Sequence, residues 1–149
     1  MTKQLVLVAL LLSTTAFAAS NDDTVRCRED GAQAELNACA AEDRAAADKE
    51  LNDVYKKILI EYKDETLFLE KLKIAQRVWI KLRDAEIEAM YPVSDSEKNS
   101  GWIPGSAYIM GVDNYAAELT RERTQHLRAW LDGEPEGDVS GSSIHFKKN

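Results

Sequence analysis

The sequence is short of the residues that most often carry chemistry. It has two cysteines, two histidines, three prolines and three phenylalanines in 149 positions. Neither histidine, His126 nor His145, has a second histidine or a cysteine at metal-ligand spacing, which argues against a zinc or transition-metal site. There is no glycine-rich phosphate loop, no nucleophile elbow and no CxxC pair. Carboxylate neighbours such as Glu86 and Glu88 fit a solvated acidic face better than an acid–base couple, which needs a cleft to drive two pKa values apart. A non-enzymatic role with no cofactor and no metal is expected.

Long apolar runs are also missing, with one exception. Met1-Thr2-Lys3 carries one positive charge, an uncharged and mostly apolar stretch runs from Leu5 to Phe17, and Ala16-Phe17-Ala18 closes it. These are the three parts of a secretory signal peptide, and the run is too short for a good membrane span. The expected organisation is a signal peptide over 1–18, cut after residue 18 or 19, a helical domain over 22–131 and a flexible tail over 132–149. The product is expected in the periplasm or secreted, with no membrane span left after cleavage.

Basic charge is in deficit. Lys and Arg number 19 against 26 Asp and Glu, giving a net charge of −7 and a pI near 4.9. Phosphate backbones repel such a surface, so nucleic acid is not an expected partner. A basic protein would be steered towards it, although acidity also serves solubility alone. Both cysteines, Cys27 and Cys39, follow the signal peptide. An even count in an oxidising compartment points to a disulfide, worth about 3 kcal/mol for so short a loop. Two free buried thiols are the alternative.

What remains is helical in pattern. Between Ala32 and Tyr62 there is no Gly or Pro, and apolar residues recur at Leu36, Ala40, Ala47, Leu51, Val54, Tyr55, Ile58 and Tyr62, on one helical face. The polar stretch Lys63 to Thr66 makes a turn. A second helix runs from about Thr66 to Tyr91, where Pro92 stops it. Residues 92–106 cluster Pro, Gly and Ser and read as a long loop. A third helix spans about Ala107 to Leu131, with a stripe of Tyr108, Val112, Tyr115, Ala116, Leu119, Arg123, His126 and Trp130. The fold expected is all-α: an antiparallel three-helix assembly built on a long helical hairpin, with a long loop before the third helix.

One stretch breaks the pattern. A wheel centred on Trp79 puts Gln76, Arg83 and Glu86 in the same arc as Phe68, Leu72, Ala75, Leu82 and Met90. Charges on a core-facing stripe are costly unless paired. Asp48 lies about as far before the turn as Arg83 lies after it, so an antiparallel pair sets them level. Glu86 is one turn from Arg83, and the third helix would bring Arg123 towards Gln76 and Trp79. Asp48, Gln76, Arg83, Glu86 and Arg123 are expected to form a polar brace that fixes helix register, in preference to a substrate-binding cluster.

The same residues carry a family resemblance. Leu36-Asn37-Ala38-Cys39 is followed by Ala47-Asp48-Lys49-Glu50-Leu51-Asn52 and Tyr55. Ala75-Gln76-Arg77 is followed by Trp79, Arg83, Asp84 and Glu86. Gly105-Ser106 is followed by Leu119-Thr120, Arg123 and Leu127. In order and spacing, from about Cys27 to Leu131, the chain resembles the LprI-like lysozyme inhibitors of small bacterial exported proteins. The resemblance marks Leu51, Asn52, Tyr55, Trp79, Asp84, Gly105, Ser106 and Thr120 as the motif core. Members commonly have four cysteines, and Ile87 and Tyr115 stand at the third and fourth positions. That departure implies a Cys27–Cys39 bridge, with Ile87 packing near Tyr115 in place of a second. The resemblance also implies a protein partner, in particular a basic lysozyme or another cell-wall hydrolase. The loop bearing Ser94, Lys98, Asn99 and Trp102 is the candidate contact, and its alternative is a solvated connection with Trp102 packed back on the helices. A structural or stress-related envelope module without inhibitory activity is the competing function, and an exposed apolar face leaves a homodimer open.

Overall fold

The computed structural model describes residues 31–102 and 104–132, which form four helices and no strand. The expectations for the signal peptide, for Cys27 and for the tail beyond Asp132 fall outside the described residues. Helix α1 spans Gln33–Glu61, α2 Thr66–Met90, α3 Asp95–Ser100 and α4 Ser106–Asp132. No helix among the described residues is long and apolar enough to cross a membrane.

The three long helices run up, down and up. Side-chain contacts pair Asn37 with Ser106 and Tyr62 with Trp130, so α1 and α4 are parallel. Contacts of Gln76 with Arg123 and of Tyr91 with Tyr108 show α2 antiparallel to α4. The turn after α1 is tight: Tyr62, the residue that caps the helix, is fully buried and its carbonyl accepts the Glu65 N–H at 2.9 Å.

The expected spine was the α1–α2 hairpin. Instead the closest backbone packing joins α1 to α4. The reason is side-chain size. Ala40 and Ala47 on α1 and Ala116, Ala117, Thr120 and Thr124 on α4 are all buried, and small residues let helix axes approach. Helix α2 stands further off on larger side chains. At the turn end the core is filled by Leu51, Val54, Ile58, Tyr62, Phe68, Leu72 and Leu127. Each large apolar side chain buried there contributes roughly 1.5–3 kcal/mol. Phe68 stacks at 4.9 Å from Tyr62 and 4.7 Å from Trp130, and the Tyr62 hydroxyl donates to the Trp130 carbonyl at 2.7 Å.

Two expectations about faces need correction. Ala75, Leu82, Glu86 and Met90 are exposed. The inward line of α2 is Phe68, Leu72, Gln76, Trp79, Arg83, Ile87 and Tyr91. Its steps are mostly of four residues and outrun the 3.6-residue turn. The contact line therefore drifts around the helix, carrying Ile87 and Tyr91 inward and Leu82 and Glu86 outward. On α4, His126 is exposed. The helix has two inward faces, one of small residues towards α1 and one of Leu119, Arg123 and Trp130 towards α2, and His126 belongs to neither.

Candidate functional site

The expected brace resolves into two smaller clusters that meet at Trp79. In the first, Arg83 Nη1 donates to Asp48 Oδ1 at 3.3 Å, and its Nε and Nη2 donate to Asp84 Oδ1 at 3.1 and 3.0 Å. The Thr120 hydroxyl points at the same Asp48 oxygen, at a long 3.5 Å. Asp48 thus touches a residue from each of the other two long helices. In the second cluster, Arg123 Nε donates to Gln76 Oε1 at 3.0 Å. The Arg83 and Arg123 guanidinium carbons lie 5.2 and 5.9 Å from the centre of the Trp79 ring, within cation–π range. Glu86 takes no part. It is exposed and has no ion pair among the described residues, and Asp84 holds the place expected for it.

Asp48 and Asp84 remain partly in water, at 40% and 58% side-chain exposure, while Arg83 is 14% exposed. Such a network suits register rather than proton chemistry. No group of three or more His, Cys, Asp or Glu that could hold a metal occurs among the described residues.

The expected loop has a helix inside it. Ser94 caps α3: its hydroxyl accepts from the Glu97 N–H at 3.3 Å, while Glu97 Oε2 accepts from the Ser94 N–H at 2.8 Å and from its hydroxyl at 2.6 Å. These contacts, the hydroxyl's first, hold the Glu97 carboxyl below its ordinary pKa. The sequence signal is the Ser-x-x-Glu spacing of a capping box, which a reading by composition passes over. Gly101, at φ 72°, ends the helix, and the Trp102 N–H bonds back to the Glu97 carbonyl at 3.2 Å. Lys98 is tied to Glu88 of α2 at 3.3 Å. Asn99 is exposed, and Trp102 is 52% exposed rather than packed back on the helices. Beneath α3 lies a pocket of about 420 Å³ lined by Glu88, Tyr91, Ser94, Asp95, Lys98 and Tyr108 among others.

The motif residues serve the frame. Leu51 is buried, and Tyr55 and Trp79 pack on the same core. Asn52 Nδ2 donates to the Asp48 carbonyl at 2.8 Å. Gly105 adopts φ 135°, open to glycine and costly for any L side chain, and it turns the chain into α4. The carbonyl of Ser106 accepts from Asn37 at 3.0 Å. Cys39 is buried and is not a free thiol. Tyr115 has its ring contact with Tyr91, at 6.2 Å.

Several residues escaped the sequence reading. Asp113 is buried and pairs with Arg44 at 2.8 Å, and Arg121 with Asp43 and Arg128 with Glu50 continue that rail along α1 and α4. These partners are 69 to 78 positions apart, so local spacing gives no hint of them. Gly111 admits the Tyr91 ring, which would lie 2.8 Å from an added Cβ.

Comparison with known proteins agrees with this architecture. A protein of Rhizobium meliloti (strain 1021), described as uncharacterized, is 35% identical over 136 residues, covering 84% of this chain and 92% of the relative. The crystal structure of a DUF1311 family protein from Pseudomonas putida KT2440 superposes with a TM-score of 0.51 at 25% identity, over 64% of this chain and 89% of that one. The family model described as lysozyme inhibitor LprI matches residues 26–127. That match spans all of α1, α2 and α3 and most of α4, including both polar clusters, and the chain belongs to the LprI family.

Proposed function

We propose that this protein is an exported, non-enzymatic binding protein that blocks a lysozyme or a related cell-wall hydrolase. The observation that carries the reading is the α3 knuckle. It presents a half-exposed Trp102 and an exposed Asn99 on a segment fixed by the Ser94–Glu97 capping box and the Lys98–Glu88 pair. A preorganised exposed aromatic is the type of anchor that dominates protein interfaces. Asn99, and Lys98 through the ammonium donors that its Glu88 pair leaves over, suit the two carboxylates that line a glycosidase cleft. The net charge of −7 would speed encounter with a basic lysozyme. The family description points the same way. The start of the sequence supports export, and a bridge from Cys27 to Cys39 fits the lack of a free thiol at Cys39.

The test is a cell-wall lysis assay with purified mature protein against several lysozyme classes, at low and moderate salt. Inhibition should weaken with salt and disappear in Trp102→Ala, in Lys98→Glu and on deletion of residues 94–102. No inhibition of any class at micromolar protein removes the proposal.

The second reading is an envelope interaction module without inhibitory activity. It is favoured by the exposed apolar line Leu67, Ile74, Val78 and Leu82 on the outer side of α2. A pull-down from envelope extract that is sensitive to Val78→Asp but not to Trp102→Ala would select it.

A further inference from the structure

The groove between α2 and α4, near the turn end, has a feature that the lysozyme reading does not use. Its wall is Phe68, Leu72, Ala75 and Trp130, its volume is about 310 Å³, and its charged lining residues are Arg123 and Lys71, both cationic, the exposed Lys71 also making a long 3.4 Å surface pair with Glu70. That is unusual for a chain of net charge −7.

Arg123 is also unlike its neighbours. Arg44, Arg83, Arg121 and Arg128 each pair with a carboxylate. Arg77 is exposed. Arg123 is half-buried, yet among the described residues its only hydrogen bond is to the neutral Gln76 amide. Burial pulls its guanidinium below the ordinary arginine range. A guanidinium has five N–H donors, and this bond uses one. No buried side-chain nitrogen among the described residues lacks a partner, so the remaining donors keep contact with solvent; the guanidinium lies over the Trp79 ring and Arg123 lines the groove.

We propose that this groove is a receiving site for an acidic side chain of a protein partner, carried next to an aliphatic residue. The carboxylate would take the free donors of Arg123, with Lys71 at the rim, and the aliphatic group would lie on the outer edge of the Phe68–Trp130 pair, against Leu72 and Ala75. The apolar wall favours a peptide segment over a free inorganic anion, because an anion alone leaves that wall wet. The volume lies at the small end of ligand pockets, fitting one or two side chains. The site is at the opposite end of α2 from the α3 knuckle, on the order of 30 Å away by helical rise. It therefore stands or falls separately from lysozyme inhibition.

The experiment titrates the full mature chain with acetyl-Leu-Glu-Leu-amide and with acetyl-Leu-Gln-Leu-amide, followed by tryptophan fluorescence and by NMR shifts of Leu72, Ala75 and Arg123. The Glu peptide should bind about ten-fold more tightly, a difference of about 1.4 kcal/mol. Salt should reduce that preference. Arg123→Gln should abolish it, and the exposed Lys71→Gln, which leaves the fold intact, should reduce it. Equal affinity for the two peptides, a preference that survives Arg123→Gln, or shifts absent from the groove would overturn the proposal. So would a large gain in Glu-peptide affinity in the double variant Glu134→Gln, Glu136→Gln, because the chain's own tail would then be the occupant.

Discussion

Arg83 of α2 reaches Asp48 of α1 at 3.3 Å and grips Asp84 on its own helix with its other two nitrogens. One nearly buried cation is thus shared by two carboxylates that stay half in water. Breaking a fully buried pair costs about 3–5 kcal/mol, while an exposed pair costs little. Arg83→Ala should therefore lower stability by about 1–2 kcal/mol in urea unfolding. A double-mutant cycle with Asp48→Ala should show coupling between the two sites, and strict additivity would mean that the contact does not hold register.

Gly111 provides room for Tyr91. Gly111→Ala puts a methyl group 2.8 Å from the ring, and the ring in turn contacts Tyr108 and Tyr115 at 5.9 and 6.2 Å. Overpacking of this kind costs about 1–3 kcal/mol. The loss should appear in thermal unfolding despite alanine's better helix propensity. Pairing the change with Tyr91→Leu should recover part of it.

The α3 knuckle should depend on pH. The Ser94 contacts hold the Glu97 pKa below its ordinary value. The stabilisation is thus complete at neutral pH and is lost as pH falls through that lowered value. Amide exchange across residues 94–100 should accelerate in that acid range before the rest of the molecule responds. In Glu97→Gln the acid step should be absent.

A Cys27–Cys39 bridge predicts that reducing agent lowers the stability of the mature protein. The chain-entropy model gives about 3 kcal/mol for a loop of that size. Urea unfolding with and without dithiothreitol measures it, and Cys27→Ser should match the reduced protein. Coincident curves would mean that no such bridge exists.

Much of this was legible in the sequence because the cues are local. The uninterrupted run to Tyr62, the KDET turn and Pro92 delimit α1 and α2 within a residue or so. Counting outward from the turn sets Asp48 level with Arg83. Three things were not legible, each for a physical reason. Ala40, Ala47 and Ala116 were readable as inward-facing, but alanine and threonine carry little hydropathy signal, so nothing marked their seam with Thr120 as the one that makes α1 and α4 the tightest pair. The drift of the contact line along α2 moved Glu86 out and Ile87 in, which a fixed wheel does not show. The buried charge of Asp113 has its reason in Arg44, 69 positions away. The internal helix of the 92–106 loop is a different case: its Ser94-x-x-Glu97 capping box stands in the sequence, and a reading by composition passes over it.

The parallel pairing of α1 with α4 also says something about the order of folding. Its contacts join α1 to α4, across separations of about seventy residues. Until α4 is present, Ala40 and Ala47 have no seam to close and Tyr62 has no carbonyl to meet. A hairpin of α1 and α2 alone should be a loose, high-energy species, and the transition state should wait on the closure of a long loop. Folding is therefore expected to wait until α4 is available, and not to proceed helix by helix as the chain emerges.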